Sequence, residues 1–285
     1  MKILRNEPLN KYTSFRIGGP ADYFCAPANL PQLKEALLFA RAKRLPVALL
    51  GAGTNLLVLD KGFRGLVIKL AGSLTGIRAR GRTVYAGGGA PLGRVISQAT
   101  GHGLGGLEFL AGIPGTVGGA AVMNAGAWGK EIGRYIVRVK VLDADGQEST
   151  LTKKQLRFGY RRSILQKGGY IVIEVALRLR PGKRSAGWKK LKEYLDRRRT
   201  SQPLGMPNAG SIFKNPPGKF AGRLLEEAGC KGLRIGDAQV STKHANFIVN
   251  LGEAQARDVI KLMTKMQRRV KIRLEPELKI MVKSF

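Results

Sequence analysis

Apolar and polar residues follow helix and strand spacings in turn over the first 70 residues. In NLPQLKEALLFARAKR the apolar residues at 30, 33, 37 and 40 share one helix face, Asn29 is a candidate N-cap, and basic residues fill the last turn. The following PVALLGAGTNLLVLD predicts a short strand, a tight turn and a second apolar run. We therefore predict a small α/β lobe at residues 1–70.

Strand patterns dominate from about residue 83 to residue 180. TVYAGGG, IVRVKVLDADGQESTLT and GYIVIEVALRLR predict strands, with a hairpin turn at Asp145–Gly146, and PLGRVISQAT predicts a helix. PGKRSAG, residues 181–187, has the composition of a linker. These segments predict a second, mainly β lobe at residues 71–183.

Helix and strand patterns alternate again toward the C-terminus. Helices are predicted in WKKLKEYLDRRR, FAGRLLEEAG and EAQARDVIKLMTKMQRRV, and a strand in ANFIVNL. We therefore predict an α+β domain at residues 184–285, and the α+β class for the whole chain.

The composition is that of a globular protein. Hydrophobic residues make up 44% of the 285 positions, and the longest apolar run is interrupted by glycine and too short to cross a bilayer. The N-terminus lacks the apolar core of a signal peptide. Cys25 and Cys230 lie far apart and outside any C-x-x-C motif, which favours a reducing compartment and no metal site. We therefore expect a cytoplasmic protein with no membrane partner.

The net charge of +31 is unusual for a chain of this length. Fifty lysines and arginines face 19 acidic residues, so a nucleic-acid-binding protein is one hypothesis. The basic residues are spread along the chain and are not interleaved with stacking aromatics, which favours a solvated surface that binds polyanions non-specifically at low salt. Salt dependence separates these interpretations, because binding dominated by phosphate weakens steeply with salt.

The 38 glycines cluster in loops. Gly101, Gly103 and Gly106 match G-x-G-x-x-G, but that motif must follow a strand, and here a predicted helix precedes it, so we interpret it as a helix C-cap. GAGTN, residues 51–55, and GIPGTVGGA, residues 112–120, have glycines that let the backbone approach a ligand and aim N–H groups at an anion. Two such loops within one short span predict a dinucleotide-type cofactor.

Ser211 lies in the loop NAGSIFKNPPGKF, where a serine is either a turn former or a chemical group. Nucleophilic catalysis is disfavoured, because there is no G-x-S-x-G motif and neither His102 nor His244 has a serine-hydrolase context. From these residues alone the turn interpretation leads.

Several longer motifs run in order along nearly the whole chain: YTSFRIGGPADYF, GAGTNLLVLD, LEFLAGIPGTVGGAAVMNAGAWG, FGYRRSIL, AGSIFKNP, GRLLEEAGCKGLRIGDAQVSTKHANFIVN and LEPELKI. Together they resemble the UDP-N-acetylenolpyruvoylglucosamine reductase family. The resemblance implies a two-lobed FAD-binding module of the p-cresol methylhydroxylase type, followed by a C-terminal α+β substrate-binding domain. The short route from RLRPGK to Ser211 resembles the shorter subtype of the family, which lacks an additional tyrosine-bearing loop.

The resemblance also implies a reaction and its cofactors. NADPH reduces non-covalently bound FAD and leaves, and UDP-N-acetylglucosamine enolpyruvate takes its place. Reduction of its enol ether gives UDP-N-acetylmuramate, a precursor of peptidoglycan. Two alternatives stay open at this stage: a different flavin oxidoreductase on the same module, and the basic nucleic-acid-binding protein.

Site residues follow from the resemblance, motif by motif. Arg161 matches the arginine that neutralises charge beside the substrate carboxylate, Ser211 the proton donor to the carbon next to it, and Glu277 the acid that completes the set, with Glu275 as a rival on the same strand face. The implied substrate contacts are Tyr160, Arg161, Lys214, Asn215 and His244. The implied cofactor contacts are Gly51, Gly53, Thr54, Asn55, Leu56, Gly112, Pro114, Gly115, Thr116, Gly118, Gly119 and Ile171.

Overall fold

The computed structural model describes residues 1–281. The elements of its first lobe are β1 (Ile3–Pro8), β2 (Pro20–Cys25), α1 (Leu30–Ala42), β3 (Val47–Leu49), β4 (Leu56–Val58) and β5 (Phe63–Ile68). Four of the strands form a sheet in the order β1-β2-β5-β3, in which β2 and β3 run parallel to β5. Helix α1 begins as predicted, because the side chain of Asn29 accepts a hydrogen bond from the amide of Gln32 at 3.0 Å.

The second lobe is mainly β, as predicted. Its elements are β6 (Ile77–Arg80), β7 (Thr83–Gly87), α2 (Leu92–Gly101), β8 (Leu104–Gly105), α3 (Val117–Val122), β9 (Gly126–Ala127), β10 (Lys130–Glu131), β11 (Ile136–Leu142), β12 (Glu148–Thr152), α4 (Lys153–Leu156), β13 (Ile171–Arg178), β14 (Arg180–Pro181) and α5 (Arg184–Ser201). An antiparallel sheet in the order β12-β11-β13-β7-β6 carries the core, and the predicted hairpin joins β11 to β12. Gly103, in a left-handed conformation with φ of 68°, follows α2, which confirms the helix C-cap interpretation.

The predicted linker at residues 181–187 is wrong, because α5 already begins at Arg184. Gly187 lies where this helix crosses α2: a Cβ there would come within 2.8 Å of Thr100 Cγ2. The glycine therefore allows close helix packing, whereas its composition suggested flexibility. Further along α5, Leu191 is only 5% exposed and joins the core of the second lobe. The helix predicted to begin the third domain thus packs on the second lobe.

The third unit is α+β. Its elements are β15 (Asn208–Ser211), α6 (Ala221–Glu227), β16 (Arg234–Ile235), β17 (Ala238–Val240), β18 (Phe247–Asn250), α7 (Ala256–Arg269) and β19 (Lys279–Met281). Four strands form a sheet in the order β15-β18-β17-β16. Helix α7 buries Val259, Leu262, Met263 and Met266, the spacing of one helix face. Short 3-10 turns complete the described chain at Leu9–Tyr12, Gly72–Thr75, Glu108–Leu110, Ile132–Arg134 and Ile164–Lys167.

The C-terminal segment returns to the first lobe. Strand β19 pairs in parallel with β4, with Lys279 opposite Leu56. Buried Phe15 and Ile17 from the N-terminal part of the chain join the core of the third unit. These contacts fasten the third unit to the first lobe beside the loop that connects β3 to β4.

Three further features concern membrane spans, metal sites and the cysteines. None of the helices within residues 1–281 is long and apolar enough to cross a membrane. Over the same range, no three His, Cys, Asp or Glu side chains are grouped so that they could hold a metal ion. Cys25 and Cys230 are both buried free thiols.

Candidate active site

The first glycine loop, residues 51–55, connects β3 to β4 and contacts the backbone of Thr13 and Ser14. Gly53 has a φ of 63°, and a Cβ there would lie 2.8 Å from Thr13 Cα. The amide of Ser14 donates to the carbonyl of Gly53 at 3.1 Å. Only glycine fits this position, because a side chain would meet backbone in a conformation that L residues rarely adopt.

The second loop, residues 112–119, leads into α3. Thr116 Oγ1 accepts a hydrogen bond from the amide of Gly119 at 3.2 Å and so caps this helix. The amide of Gly118 donates to the carbonyl of Gly88 at 2.8 Å, and a Cβ on Gly118 would lie 2.7 Å from that oxygen. Gly112, with a φ of 73°, lies against the side chain of Arg198.

The two loops face each other and form what we call the glycine cradle, residues 51–55 and 112–119. Thr54 Oγ1 donates to the carbonyl of Pro114 at 3.0 Å, and a Cβ on Gly51 would lie 2.9 Å from Thr116 Oγ1. Within residues 1–281, the amides of residues 51–55, Gly115 and Thr116 have no hydrogen-bond acceptor. Unpaired amides on a glycine-lined surface fit a diphosphate, so the cradle suits a dinucleotide cofactor.

Two predicted cofactor contacts, Leu56 and Ile171, begin strands and lie outside the glycine cradle. Leu56 begins β4, where it pairs with Lys279 in β19. Ile171 begins β13, is 1% exposed and packs in a core with Leu142 and Leu66. A cofactor contact by Ile171 stays a prediction, and the burial of its side chain leaves only main-chain atoms to make it.

Arg161 and Glu277 form a partly buried ion pair. Gly159 and Arg162 exchange backbone hydrogen bonds, so Tyr160 and Arg161 form the tip of a tight turn. Arg161 Nε donates to Glu277 Oε1 at 2.5 Å, and its Nη2 donates to the carbonyl of Gly126 at 2.8 Å. The two side chains are 17% and 15% exposed, so this pair is screened less than a surface pair.

Backbone contacts hold Ser211 close to Glu277. Ser211 ends β15 opposite Phe247, and the carbonyl of the next residue, Ile212, accepts the amide of Glu277 at 2.8 Å. The hydroxyl of Ser211 makes no hydrogen bond with any of residues 1–281. The backbone that carries Ser211 is thus adjacent to the backbone that carries Glu277.

Glu275 and Glu277 have different partners, although they are two residues apart. The amide of Lys214 donates to the carbonyl of Glu275 at 2.8 Å, and Lys214 Nζ donates to Glu275 Oε1 at 2.5 Å. The Glu275 side chain is 72% exposed. The structure thus brings Glu277, and not its rival, to Arg161.

Tyr160 and Asn215 connect the second lobe to the third unit. The hydroxyl of Tyr160 accepts a hydrogen bond from the amide of Asn215 at 3.2 Å. Asn215 Oδ1 accepts the amide of Ala221 at 3.0 Å and so supports the start of α6. The ring of Tyr160 also lies 5.1 Å from Arg161 Cζ, a cation–π contact.

His244 lies with Ser211 on a cavity of about 330 Å³. Its Nδ1 accepts the amide of Asn246 at 3.2 Å, so the neutral ring carries its proton on Nε2. Burial lowers the pKa of His244 below its ordinary value, and its own backbone works against that shift. The other lining residues are Asn215, Phe220, Gly222, Arg223, Glu226, Lys243 and Asn246.

Several of these residues were not predicted from the sequence. Arg223 and Lys243 bring positive charge to the cavity, but each is one basic residue among many in this chain. Phe220 is 69% exposed, and a single exposed aromatic before a helix carries no recognisable motif. No sequence pattern marked these residues as belonging together.

Arg198 was also missed, because it lies in a basic run that indicated surface. It is 7% exposed, and its Nε donates to the carbonyl of Ala111 at 2.8 Å. Burial, and secondarily the charge of Arg161, lowers the pKa of Arg198 to about 10. Its spacing of seven residues from buried Leu191 places both on one helix face, and that spacing could have revealed it.

Comparisons with known proteins agree with this geometry. Residues 21–152 match the family model described as "FAD binding domain", which contains both loops of the glycine cradle. Residues 202–283 match the model "UDP-N-acetylenolpyruvoylglucosamine reductase, C-terminal domain". The cradle, the FAD-binding match and the third unit together define a flavoprotein oxidoreductase.

Relatives identify the family. A UDP-N-acetylenolpyruvoylglucosamine reductase 2 of Symbiobacterium thermophilum is 50% identical over 283 residues, covering 98% of this chain and 92% of the relative. The reductase of Moorella thermoacetica is 46% identical over 284 residues, covering 98% and 93%. The crystal structure of the reductase from Thermus caldophilus matches with a TM-score of 0.86 and 40% identity, covering 98% of both chains. The chain belongs to the UDP-N-acetylenolpyruvoylglucosamine reductase family.

Proposed function

We propose that Arg161, Ser211 and Glu277 form the catalytic group of this reductase. As a member of its family, the chain is an FAD-dependent oxidoreductase that reduces UDP-N-acetylglucosamine enolpyruvate with NADPH in the synthesis of peptidoglycan precursors. One observation carries the assignment of residues: the Arg161–Glu277 pair lies beside the backbone of Ser211, although the three residues come from distant parts of the chain.

The glycine cradle is the part of the chain that would hold FAD. Its unpaired amides would bind the diphosphate, and Thr54 and Thr116 keep the two loops together. FAD held there without a covalent link would supply the hydride chemistry that connects NADPH with the enol ether of the substrate. Ser211 follows Gly210, on which a Cβ would lie 3.8 Å from the carbonyl of Thr54. The proposed proton donor is therefore next to the cradle.

Arg161 stabilises negative charge that develops beside the substrate carboxylate. Two of its nitrogens are held by Glu277 and Gly126, and Nη1 has no acceptor within residues 1–281. The fixed guanidinium therefore keeps Nη1 available for the substrate. Such a preorganised donor in a partly dry site contributes about 3 to 4 kcal/mol to transition-state stabilisation.

Ser211 donates the proton to the carbon next to the substrate carboxylate. A serine hydroxyl is a weak acid, so positive charge nearby must stabilise the oxyanion it leaves. Lys243 lines the same cavity, and Arg161 lies beside the adjoining backbone. Glu277 holds the guanidinium in place, and its Oε2 has no donor within residues 1–281 and so is free to take part in proton transfer.

The experiment that tests this proposal separates the two half-reactions. The flavin-loaded protein is reduced anaerobically with NADPH and freed of nucleotide, and reoxidation of the flavin is followed after UDP-N-acetylglucosamine enolpyruvate is added. We expect Ser211→Ala to slow reoxidation by about 10²- to 10⁴-fold while reduction by NADPH is unchanged. Ser149→Ala, at an exposed serine of β12, is the control. Equal reoxidation rates in the two variants would rule out Ser211 as the donor.

Two further assignments belong to this proposal. The packing of α5 on the second lobe, and the C-terminal family model that begins at residue 202, support a third domain beginning after α5, later than the limit of 184 expected from the sequence. We also place the protein in the cytoplasm, because NADPH and nucleotide-activated sugars are its substrates.

A further inference from the structure

Asn124 is a fully buried polar residue beside the turn that carries Arg161. It lies two residues after the end of α3, and its side chain is 0% exposed. Its Nδ2 donates to Glu131 Oε2 at 2.7 Å and to the carbonyl of Gly159 at 2.8 Å. Its Oδ1 accepts the amide of Gly133 at 2.9 Å. Both N–H groups of the side chain are therefore paired within the protein.

The backbone of Asn124 adopts a conformation that few residue types tolerate. Its φ of 44° lies in the left-handed region, where asparagine is one of the few residues besides glycine that occur regularly. A glycine would fit this backbone but could not make the three side-chain hydrogen bonds. The left-handed backbone and the buried, fully paired amide together select asparagine at this position.

The turn that carries Arg161 is held from outside. Arg161 itself has a φ of 51°, although its side chain is long and carries no special tolerance for that region. The carbonyl of Gly159 accepts the side chain of Asn124 as well as the amide of Arg162. The carbonyl of Arg161 accepts Gln166 Nε2 at 2.9 Å. A strained turn persists only where its surroundings determine its shape, and these contacts do so.

The chain segment of Asn124 contacts Arg161 at a second place. Gly126 lies two residues after Asn124, and its carbonyl accepts Arg161 Nη2 at 2.8 Å. Gly159, which the side chain of Asn124 contacts, lies two residues before Arg161. One short segment therefore holds both the backbone of the turn and the guanidinium. Because this segment follows α3, which begins in the glycine cradle, it also connects the cradle to Arg161.

We propose that Asn124 is a positioning residue for Arg161. The inference rests on the proposed function, in which Arg161 stabilises charge beside the substrate carboxylate. Asn124 is buried and its amide is fully paired, so it acts through the turn rather than on the substrate. It keeps the carbonyl of Gly159 at a fixed place relative to the carbonyl of Gly126. The guanidinium is then in position before the substrate binds, which is how a preorganised group lowers a barrier.

The test compares two isosteric substitutions in the flavin-loaded protein. Asn124→Asp tolerates the left-handed backbone but has no N–H groups for Glu131 and Gly159. Asn250→Asp is the matched control, because Asn250 is 3% exposed and its Nδ2 donates to the carbonyl of Phe15 at 3.0 Å. Anaerobic reduction by NADPH, reoxidation by the enolpyruvyl substrate and the Tm are measured for each variant.

A second substitution at the same position avoids a new charge beside Glu131. Asn124→Gly keeps the left-handed backbone and removes all three side-chain hydrogen bonds. We expect both Asn124 variants to slow reoxidation about 10- to 100-fold, because a catalytic group displaced by about 1 Å loses that much rate. Reduction by NADPH should stay within about threefold of the original rate, since the charge that Arg161 stabilises develops on the enolpyruvyl substrate. N250D should be reoxidised at the original rate although its Tm falls.

A double-mutant cycle distinguishes positioning from a merely structural role. In an Arg161→Ala background, Asn124→Asp should slow reoxidation by less than about threefold further, because no guanidinium remains to be positioned. A loss as large as in the original background would overturn the proposal. So would reoxidation of N124D at the original rate, or an equal slowing in N250D.

A readout without turnover separates this inference from the proposed function. The Nε–H of Arg161, identified as the ¹⁵N NMR signal that is missing from R161A, should exchange with solvent at least about tenfold faster in N124D than in N250D. Equal exchange in the two variants would overturn the positioning role. Faster exchange in N124D together with unimpaired reoxidation in R161A would confirm the positioning of Arg161 and refute its proposed part in the reaction.

Discussion

Asn55, in the glycine cradle, donates its side-chain amide to the main-chain carbonyl of Glu277 at 3.2 Å, across 222 residues of sequence. The amide of Lys279 returns a hydrogen bond to the carbonyl of Asn55 at 3.1 Å. The segment that supplies the Glu277 carboxylate is thus built onto the loop that would hold the cofactor. These two hydrogen bonds fix the position of the Glu277 backbone relative to the glycine cradle.

The two neighbouring glutamates should behave differently when neutralised. We expect Glu277→Gln to slow flavin reoxidation by the substrate about 100-fold, because Arg161 loses its charged partner and a proton-carrying group is removed. Glu275→Gln, at the exposed carboxylate, should stay within about threefold. Both variants should be reduced by NADPH at the original rate. Slower reoxidation in E275Q than in E277Q would reverse the assignment.

Gly53→Ala should weaken FAD binding by about tenfold or more. Its φ of 63° and the nearby backbone of Tyr12 and Thr13 leave no room for a methyl group, so the loop must move. Gly81→Ala is the matched control, because Gly81 has a φ of 56° with open space around it. Both variants carry backbone strain. When the flavin-free proteins are titrated with FAD, only Gly53→Ala should show weaker binding than the original protein. Equal FAD affinity in the two variants would contradict the cradle.

His244 should make the protein less stable in mild acid. Because burial lowers its pKa in the folded state below the ordinary 6.5, the unfolded chain takes up the proton first as the pH falls. Its stabilising contribution is therefore complete at neutral and higher pH and is lost as the pH falls below about 6.5. The Tm of His244→Asn should fall less steeply between pH 8 and pH 5 than the Tm of the original protein.

Arg198→Met should destabilise the fold by about 1 to 3 kcal/mol, because the carbonyl of buried Ala111 loses its hydrogen-bond donor. The change should also weaken flavin binding, since Arg198 packs on Gly112. Arg199→Met, at an exposed neighbour, should alter stability by less than about 0.5 kcal/mol. Denaturant unfolding of the two variants measures this difference, and a similar loss in both would show that burial of Arg198 is not the cause.

Local sequence was sufficient for elements whose stability is decided nearby. The Asn29 cap and apolar spacing predicted α1, and Asp145–Gly146 predicted the hairpin between β11 and β12. The prediction from local sequence was wrong at residues 181–187, where glycine and basic residues indicated a linker but α5 begins at Arg184. Position 187 requires a glycine because α2 passes close to it, and α2 comes from about 90 residues earlier in the chain.

The sequence by itself determined the fold class, the glycine cradle and the identity of the motif residues, because helix periodicity, turn chemistry and ordered motifs are local properties of the chain. The tertiary structure alone decided which glutamate meets Arg161, and that the guanidinium of Arg198 reaches the carbonyl of Ala111. These are contacts between elements distant in sequence. They depend on how β19 returns to β4 and how α5 packs on the second lobe, which no local spacing encodes.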